Sequence, residues 1–326
     1  MRRIFVIDLI GVVILGMFCV SGCAKNNWSI RGGVLHIPTQ EALSNFIAYA
    51  ETDDRGDAMR AEVKEIRFGN KVYFIPDNAF REYKEIIRIS LGENVNEIGE
   101  AAFFRCENLE EVEWNPMLKT IGICAFYESG LQTLHLPDGV ERIERSAFNE
   151  CKKLQSVFLP DSVTFLDYNF AGCNSLETIK LSNSLRVIAA YFCQGSALLR
   201  EVYIPESVEI WEEYAFANDG IKRIIIGGQL KAIYAFVEWE YPSLQQLVFL
   251  AGPPLQIDLP NDGAIAPYVG APSQKWFGFR DSPENARIAI YILRENIALW
   301  APNGETEWNS CPLVVIGSLD DLPPLK

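Results

Sequence analysis

The sequence predicts an α+β repeat solenoid, with short parallel strands of successive coils stacked into a curved sheet and a cap at each end. Three observations predict it. A phenylalanine recurs at Phe80, Phe103, Phe126, Phe148, Phe170, Phe192, Phe216 and Phe236, at spacings of 23, 23, 22, 22, 22, 24 and 20 residues. Ahead of it run two apolar rows. One lies mostly four or five residues before, at Ile98, Ile121, Ile143, Leu166, Ile188, Trp211 and Ile233. The other lies three residues earlier still, at Val95, Leu118, Val140, Val163, Leu185, Val208 and Leu230. After it comes an apolar triplet at strand-like spacing, as in Leu131-Leu134-Leu136, Leu154-Val157-Leu159 and Leu176-Ile179-Leu181.

A coil of about 22 residues cannot close a core of its own, so each row must be buried against the same row of its neighbours. Strands stacked about 4.8 Å apart give eight coils a sheet about 40 Å long. Pro137, Pro160 and Pro205 follow three of the triplets, where a missing N–H is tolerated. The alanine that usually precedes the phenylalanine suits close backbone approach at a bend. Asn169 and Tyr191 replace it in two coils, where local irregularity is expected.

The ends lack the repeat. Residues 23–65 read as a tether and N-terminal cap. Thr39 is placed to cap a helix from Gln40 to about Ala50, with Leu43, Phe46, Ile47 and Ala50 on one face. Asp53 to Asp57 reads as an exposed turn. Residues 66–250 form the solenoid, and Ala251-Gly252-Pro253-Pro254 breaks it. Residues 251–326 read as a C-terminal cap, with a strand over Ile288 to Ile292, a helical turn from Arg294 to Trp300, and Trp308. Between them, Asp258 to Asp281 is a long loop rich in Gly and Pro, a length that goes with function or mobility.

The repeat, written L-x-x-[VI]-x-[LI]-P-x-x-V-x-x-I-x-x-x-A-F-x-x-C, resembles the treponemal, BspA-like class of bacterial leucine-rich repeats. Leu131 to Cys151 follow it almost letter for letter, and the resemblance runs from Ile66 to Phe249. Its period lies in the range of about 20–29 residues of such repeats. The resemblance implies a surface protein that binds another macromolecule, and the family's adhesins imply a host matrix protein as one such partner.

Residues 1–22 read as a secretory signal. Arg2 and Arg3 precede an apolar stretch from Leu9 to Val20, too short for a membrane span of about 20 residues. Asp8 is an imperfection in it. Val20-Ser21-Gly22-Cys23 resembles the bacterial lipobox, which implies cleavage before Cys23 and its acylation, leaving the chain lipid-anchored in a bacterial cell envelope. The alternative is an uncleaved signal anchor with Cys23 an ordinary thiol. The net charge is −14. Such an acidic surface repels phosphate backbones, so nucleic acid is not an expected partner.

No catalytic set is read. Metal sites need clustered ligands such as C-x-x-C with histidines, and neither the cysteines nor His36 and His135 are so placed. Cys106, Cys151 and Cys173 each follow a repeat phenylalanine by three residues and read as a ladder of small buried residues. A disulfide between Cys151 and Cys173 on adjacent coils is conceivable but not required. No metal or other cofactor is expected.

The candidate binding residues come from strand alternation. In each L-x-x-V-x-L segment the two positions flanking the central residue point outward. One outward row reads Ser90, Glu113, His135, Phe158, Lys180, Tyr203, Ile225 and Val248; the other begins at Arg88 and Glu111 and includes Arg223. Phe158, Tyr203, Ile225 and Val248, with Arg223 beside them, have the composition of an interface hot spot. Two readings stand: an open face that binds a ligand, or a row covered by Asp258 to Asp281 folding back. Three functions follow: a binding module, possible adhesion included; a structural envelope scaffold without a host ligand; and an enzyme with a site in the C-terminal region, where Trp276, Phe277 and Phe279 lie without a nucleophile and base.

Overall fold

The computed structural model describes residues 27–51, 55–212, 214–217, 220–233, 243–253, 256–257, 289–304, 306–308 and 311–325. The signal segment, Cys23, Phe236 and the loop from Asp258 to Asp281 lie outside them.

The described chain begins with an antiparallel hairpin of β1 (Ser29–Arg31) and β2 (Val34–Thr39), turned through Gly32 and Gly33 at φ of 59° and 80°. Thr39 leaves β2 extended, and its hydroxyl oxygen accepts from the Ala42 N–H at 3.1 Å, capping α1 (Gln40–Ala50) as the sequence predicts. α1 buries Ala42, Leu43 and Phe46. The Phe46 ring stacks on Phe80 at 5.8 Å, and Trp28 meets Phe46 edge-on at 5.2 Å, so aromatic residues continue the row beyond its first repeat member. The expected turn at Asp53 to Asp57 is instead partly helical, because α2 (Arg55–Glu62) starts within it. Asp57 sits in the first turn and pairs with Arg60 one turn on, at 2.9 Å, while Met59 packs into the core.

β3 (Glu65–Lys71) pairs in parallel with β2, and the coils stack from there. Each contributes a strand to a first sheet: Arg88–Ser90, Glu111–Glu113, Thr133–His135, Ser156–Phe158, Thr178–Lys180, Glu201–Ile204, Arg223–Ile226, Gln246–Phe249, Ala289–Leu293 and Cys311–Ile316. Its hydrogen bonding is interrupted between Glu111–Glu113 and Thr133–His135, and between Thr178–Lys180 and Glu201–Ile204. A second row of two-residue strands, among them Glu97–Ile98, Thr120–Ile121, Arg142–Ile143, Val187–Ile188 and Ile210–Trp211, carries the apolar row ahead of each phenylalanine. The coil of Asn169 has no such strand. There the buried Asn169 amide donates to Glu144 O at 2.6 Å and its side-chain oxygen accepts from Asp167 N, doing with a side chain what backbone does elsewhere. The irregularity expected at Asn169 is present, and so is that expected at Tyr191. This coil keeps its short strand and turn, but its left-handed residue, Tyr191, stands one place before the phenylalanine instead of two, and the Phe192 ring is edge-on to Phe170 and Phe216.

The core is a set of ladders. Phe80, Phe103, Phe126, Phe148 and Phe170 are fully buried, with successive ring centroids 5.3–5.8 Å apart and planes within 19° of parallel. The bend that carries them is held along the stacking axis. Ala101 and Arg105 flank Phe103 in left-handed conformation, at φ of 52° and 57°. Alternating backbone handedness turns the N–H groups of Ala101, Phe103 and Arg105 toward the carbonyls of Ile123, Ala125 and Tyr127 in the next coil, each at 2.8 Å. These bonds offset the cost of left-handed residues other than glycine. The buried Cys106, Cys151 and Cys173 thiols donate to the carbonyls of Phe80, Phe126 and Phe148 at 3.2–3.3 Å. Both Cys151 and Cys173 are free thiols.

After Ala289–Leu293 the chain makes a short 3-10 turn, Arg294–Asn296, and then α3 (Ile297–Trp300), in line with the predicted strand and helical turn. Trp300 packs on Phe249 with centroids 4.6 Å apart and donates to Ala251 O at 3.0 Å.

Candidate binding face

Parallel, in-register pairing puts like positions of successive coils side by side on the outside of the first sheet. Phe158 lies opposite His135 on one side and Lys180 on the other. The central residues Leu134 and Val157 are fully buried, as alternation requires, while His135 and Lys180 are exposed and Phe158 is half-buried. The His135 ring lies 4.1 Å from the Phe158 ring, tilted by 34°. Where these strands run into their turns, His135, Asp138, Phe158, Asp161, Ser162 and Lys180 border a depression of about 490 Å³. The backbone N–H of Asn183 and then its side-chain amide donate to the Asp161 carboxylate and hold its pKa below the ordinary value.

Tyr203 stands on the same outward row and is 40% exposed. Gly227 makes room for its hydroxyl, since a Cβ there would lie 2.5 Å from it. Partial burial pushes the Tyr203 phenol up, and Glu206 adds to the effect. Toward the N-terminus the face turns polar and paired. Arg88 meets Glu111 at 2.7 Å, and Ser90 donates to Glu113.

Toward the C-terminus the outward row continues in register from Tyr203 through Ile225, Val248 and Tyr291 to Val314. Here the expectation of an open face needs correcting. Ile225 is 6% exposed and Val248 fully buried, in a second apolar cluster with Tyr291 and Ile316 that Val314 and Leu322 flank. Among the described residues the chain's own C-terminal segment lies over this cluster; the loop from Asp258 to Asp281 lies outside them. After Ile316 the Asp321 carboxylate accepts from the N–H groups of Gly317 and Ser318, at 2.7 and 3.0 Å, and closes a short turn, Leu319–Asp321, that sends Leu322 back over the sheet. Arg223 lies beneath this segment. It donates to Glu201 at 2.7 Å, to Gln246 at 2.6 Å and to the carbonyl of Pro323 at 2.7 Å, while Gln246 donates to the same carbonyl at 3.0 Å. Gln246, Tyr291, Ile316, Leu322 and Pro323 belong to this site, and sequence reasoning did not assign them to it. Two of them carried a signal: Gln246, which alternation places on the outward row beside Arg223, and Tyr291, on the predicted strand at Ile288 to Ile292.

Among the described residues no group of three His, Cys, Asp or Glu side chains is placed to hold a metal ion, and no helix is long and apolar enough to cross a membrane.

The family described as BspA type leucine-rich repeat region matches the chain in six copies, over residues 59–169 and 119–238. No curated protein matches it. Among solved structures it is similar to a leucine-rich repeat protein from Bacteroides ovatus, at 22% identity, with 58% of this chain and 55% of that one covered and a TM-score of 0.46. The chain thus spans about half of that relative's length, 55%. It is also similar to a leucine-rich repeat protein of T. pallidum, at 22% identity over 50% of this chain and 73% of that one, with a TM-score of 0.41. A third likeness is to the pneumococcal vaccine antigen PcpA, at 16% identity over 78% of each chain, with a TM-score of 0.33.

Proposed function

The chain belongs to the BspA-type leucine-rich-repeat family, and from that premise we propose that it is a lipid-anchored protein of the bacterial cell envelope that captures another macromolecule through the outer face of its first sheet. Repeat scaffolds of this kind typically serve binding or scaffolding, with the extended sheet face as the contact surface. One observation carries the reading. Between His135 and Tyr203 the outward row stays open, with Phe158 set between His135 and Lys180 over a depression of about 490 Å³. An aromatic side chain half-shielded among polar neighbours supplies the anchor of an interface, and the polar groups supply its rim. Cys23 holds the chain on its membrane, and a host matrix protein is the partner that the family's adhesins suggest.

The test is capture by the purified protein. A panel of soluble matrix proteins is passed over the immobilised chain, and over the chain carrying Phe158→Ser with Tyr203→Ser. Capture by the first and not the second supports the reading. Equal capture by both moves the binding face elsewhere, and the paired acidic strands at Glu111 and Glu113 are next. Protease shaving of intact cells decides whether such a partner can reach the protein: release of solenoid fragments supports an adhesin, and full protection makes it an internal envelope scaffold.

A further inference from the structure

The C-terminal segment shows what one part of the outer face is built to hold. Leu322 has φ of −66° and ψ of 131°, extended as a residue before proline must be and within the region that proline-rich chains adopt. It packs on the cluster of Ile225, Val248, Tyr291 and Ile316. The following carbonyl, that of Pro323, receives two hydrogen bonds, from Arg223 and Gln246. Arg223 is steadied before it reaches that carbonyl, by Glu201 at 2.7 Å on one side and Gln246 at 2.6 Å on the other. The Gln246 side-chain oxygen is thereby occupied, so toward the segment this pair presents N–H donors. A surface that offers donors suits a chain that brings acceptors, and proline brings a carbonyl with no N–H to leave unpaired. An extended proline-containing segment also loses little conformational entropy on docking.

The segment is lightly held. Leu322 is half-buried, Pro323 and Pro324 are exposed, and Gly317 to Asp321 are exposed throughout. We propose that Arg223, Gln246 and the apolar patch beside them form a docking site for extended proline-containing peptide, that Leu322-Pro323 is its resident occupant, and that a proline-containing stretch of the partner takes its place. This rests on the reading of the outer face as the docking face. It adds the class of segment recognised, and a contact that the row from Phe158 to Tyr203 continues.

The probe is a labelled peptide of residues 318–326, added to the full chain and followed by fluorescence anisotropy. A tethered segment competes at an effective concentration on the order of millimolar, so the unaltered chain should bind the free peptide weakly. The full chain with Leu322→Ser and Pro323→Gly, whose own segment is loosened, should bind it at least about tenfold tighter. Arg223→Lys with Gln246→Leu in that background should remove the gain. A peptide with alanine at both proline positions should bind at least about tenfold more weakly than the native one, and this arm leaves the folded protein untouched. Equal binding of the alanine peptide, or no binding to the loosened chain, overturns the proposal. If the peptide fails while Phe158→Ser with Tyr203→Ser still abolishes matrix-protein capture, the docking face stands and only its preference for proline is lost.

Discussion

Phe126 and Phe148 lie one coil apart with ring centroids 5.5 Å from each other and planes 4° from parallel. The same near-parallel stacking runs from Phe80 to Phe170, and at Phe192 it changes: that ring stands edge-on to both Phe170 and Phe216, at 85° and 84°. Each phenylalanine touches its own row only in the coils before and after it. Phe148→Ala should therefore cost about 3–5 kcal/mol, as a large-to-small core change. Amide exchange should accelerate first in the coils of Phe126 and Phe170. Uniform loss of protection along the chain, or none, would contradict nearest-neighbour coupling.

The buried thiols make a second, pH-dependent prediction. Burial pushes the Cys151 thiol from its ordinary value of 9.0 up to about 11, and raises Cys106, Cys173 and Cys193 as well. Burial lifts the Tyr83 phenol from 10.0 to about 12. A raised folded pKa means that above pH 9 the unfolded chain releases protons the folded chain keeps. The stability tied to Cys151 is therefore whole below pH 9 and is lost between pH 9 and 11, and that tied to Tyr83 is lost between pH 10 and 12. Thermal melts at pH 8, 9.5 and 10.5 should show a falling Tm. Cys151→Ala should flatten the fall relative to its own value at pH 8, and an unchanged slope would remove Cys151 from the account.

How much of this was legible follows from how each feature is encoded. The coil from Leu131 to Cys151 could be read because identical side chains at fixed spacing must stack if the coils stack. Strands such as Arg142–Ile143 were not read, since two residues are too few to display alternation. Left-handed residues at Ala101, Ser146 and Glu150 were hidden because these residue types do not advertise a positive φ as glycine does. The cover over Ile225 and Val248 was invisible for another reason. Pro323 meets Arg223 across 100 residues of sequence, and neither lies in a pattern that names the other. Phe158 and Tyr203 could be placed on the outward row because alternation alone sets their direction.

Gly92 tests how closely adjacent coils approach. A Cβ on Gly92 would fall 2.7 Å from the carbonyl carbon of Gly69 and closer still to its oxygen, and this is backbone with no side chain to swing aside. Gly92→Ala should destabilise by about 1–3 kcal/mol, as an overpacked site does, read as a lower urea midpoint with an unchanged slope. Wild-type stability would mean that the two coils can separate without loss.

The proposed lipid anchor at Cys23 makes a prediction of its own. The intact protein should partition into detergent phase when cells are extracted, since several acyl chains hold a protein far more firmly than one. Cys23→Ala should give either a soluble product or an uncleaved precursor. A fully processed variant that partitions like the original would leave the lipid unassigned.

The outer row divides at Tyr203, and stability should divide with it. Tyr203 is 40% exposed, whereas Ile225, its register partner in the next coil, is 6% exposed beneath the C-terminal segment. An exposed side chain has already kept much of its contact with water, so removing it changes folding little. Tyr203→Ser should leave the melting temperature within a degree or two, in line with surface changes of about 0.5 kcal/mol or less. Ile225→Ala removes buried methyl groups and should cost about 2–5 kcal/mol. The lower end of that range is expected, because the segment of Leu322 that lies over Ile225 is lightly held and can settle into the space. Leu322→Ser should cost less than Ile225→Ala, since Leu322 is half-buried and its loss lets water reach a face that stays folded. If Tyr203→Ser proves as costly as Ile225→Ala, the row is core along its whole length, and recognition must move to the polar strands at Glu111 and Glu113. If Ile225→Ala is neutral, the C-terminal segment does not shield the patch in solution, and Ile225 and Val248 return to the binding face.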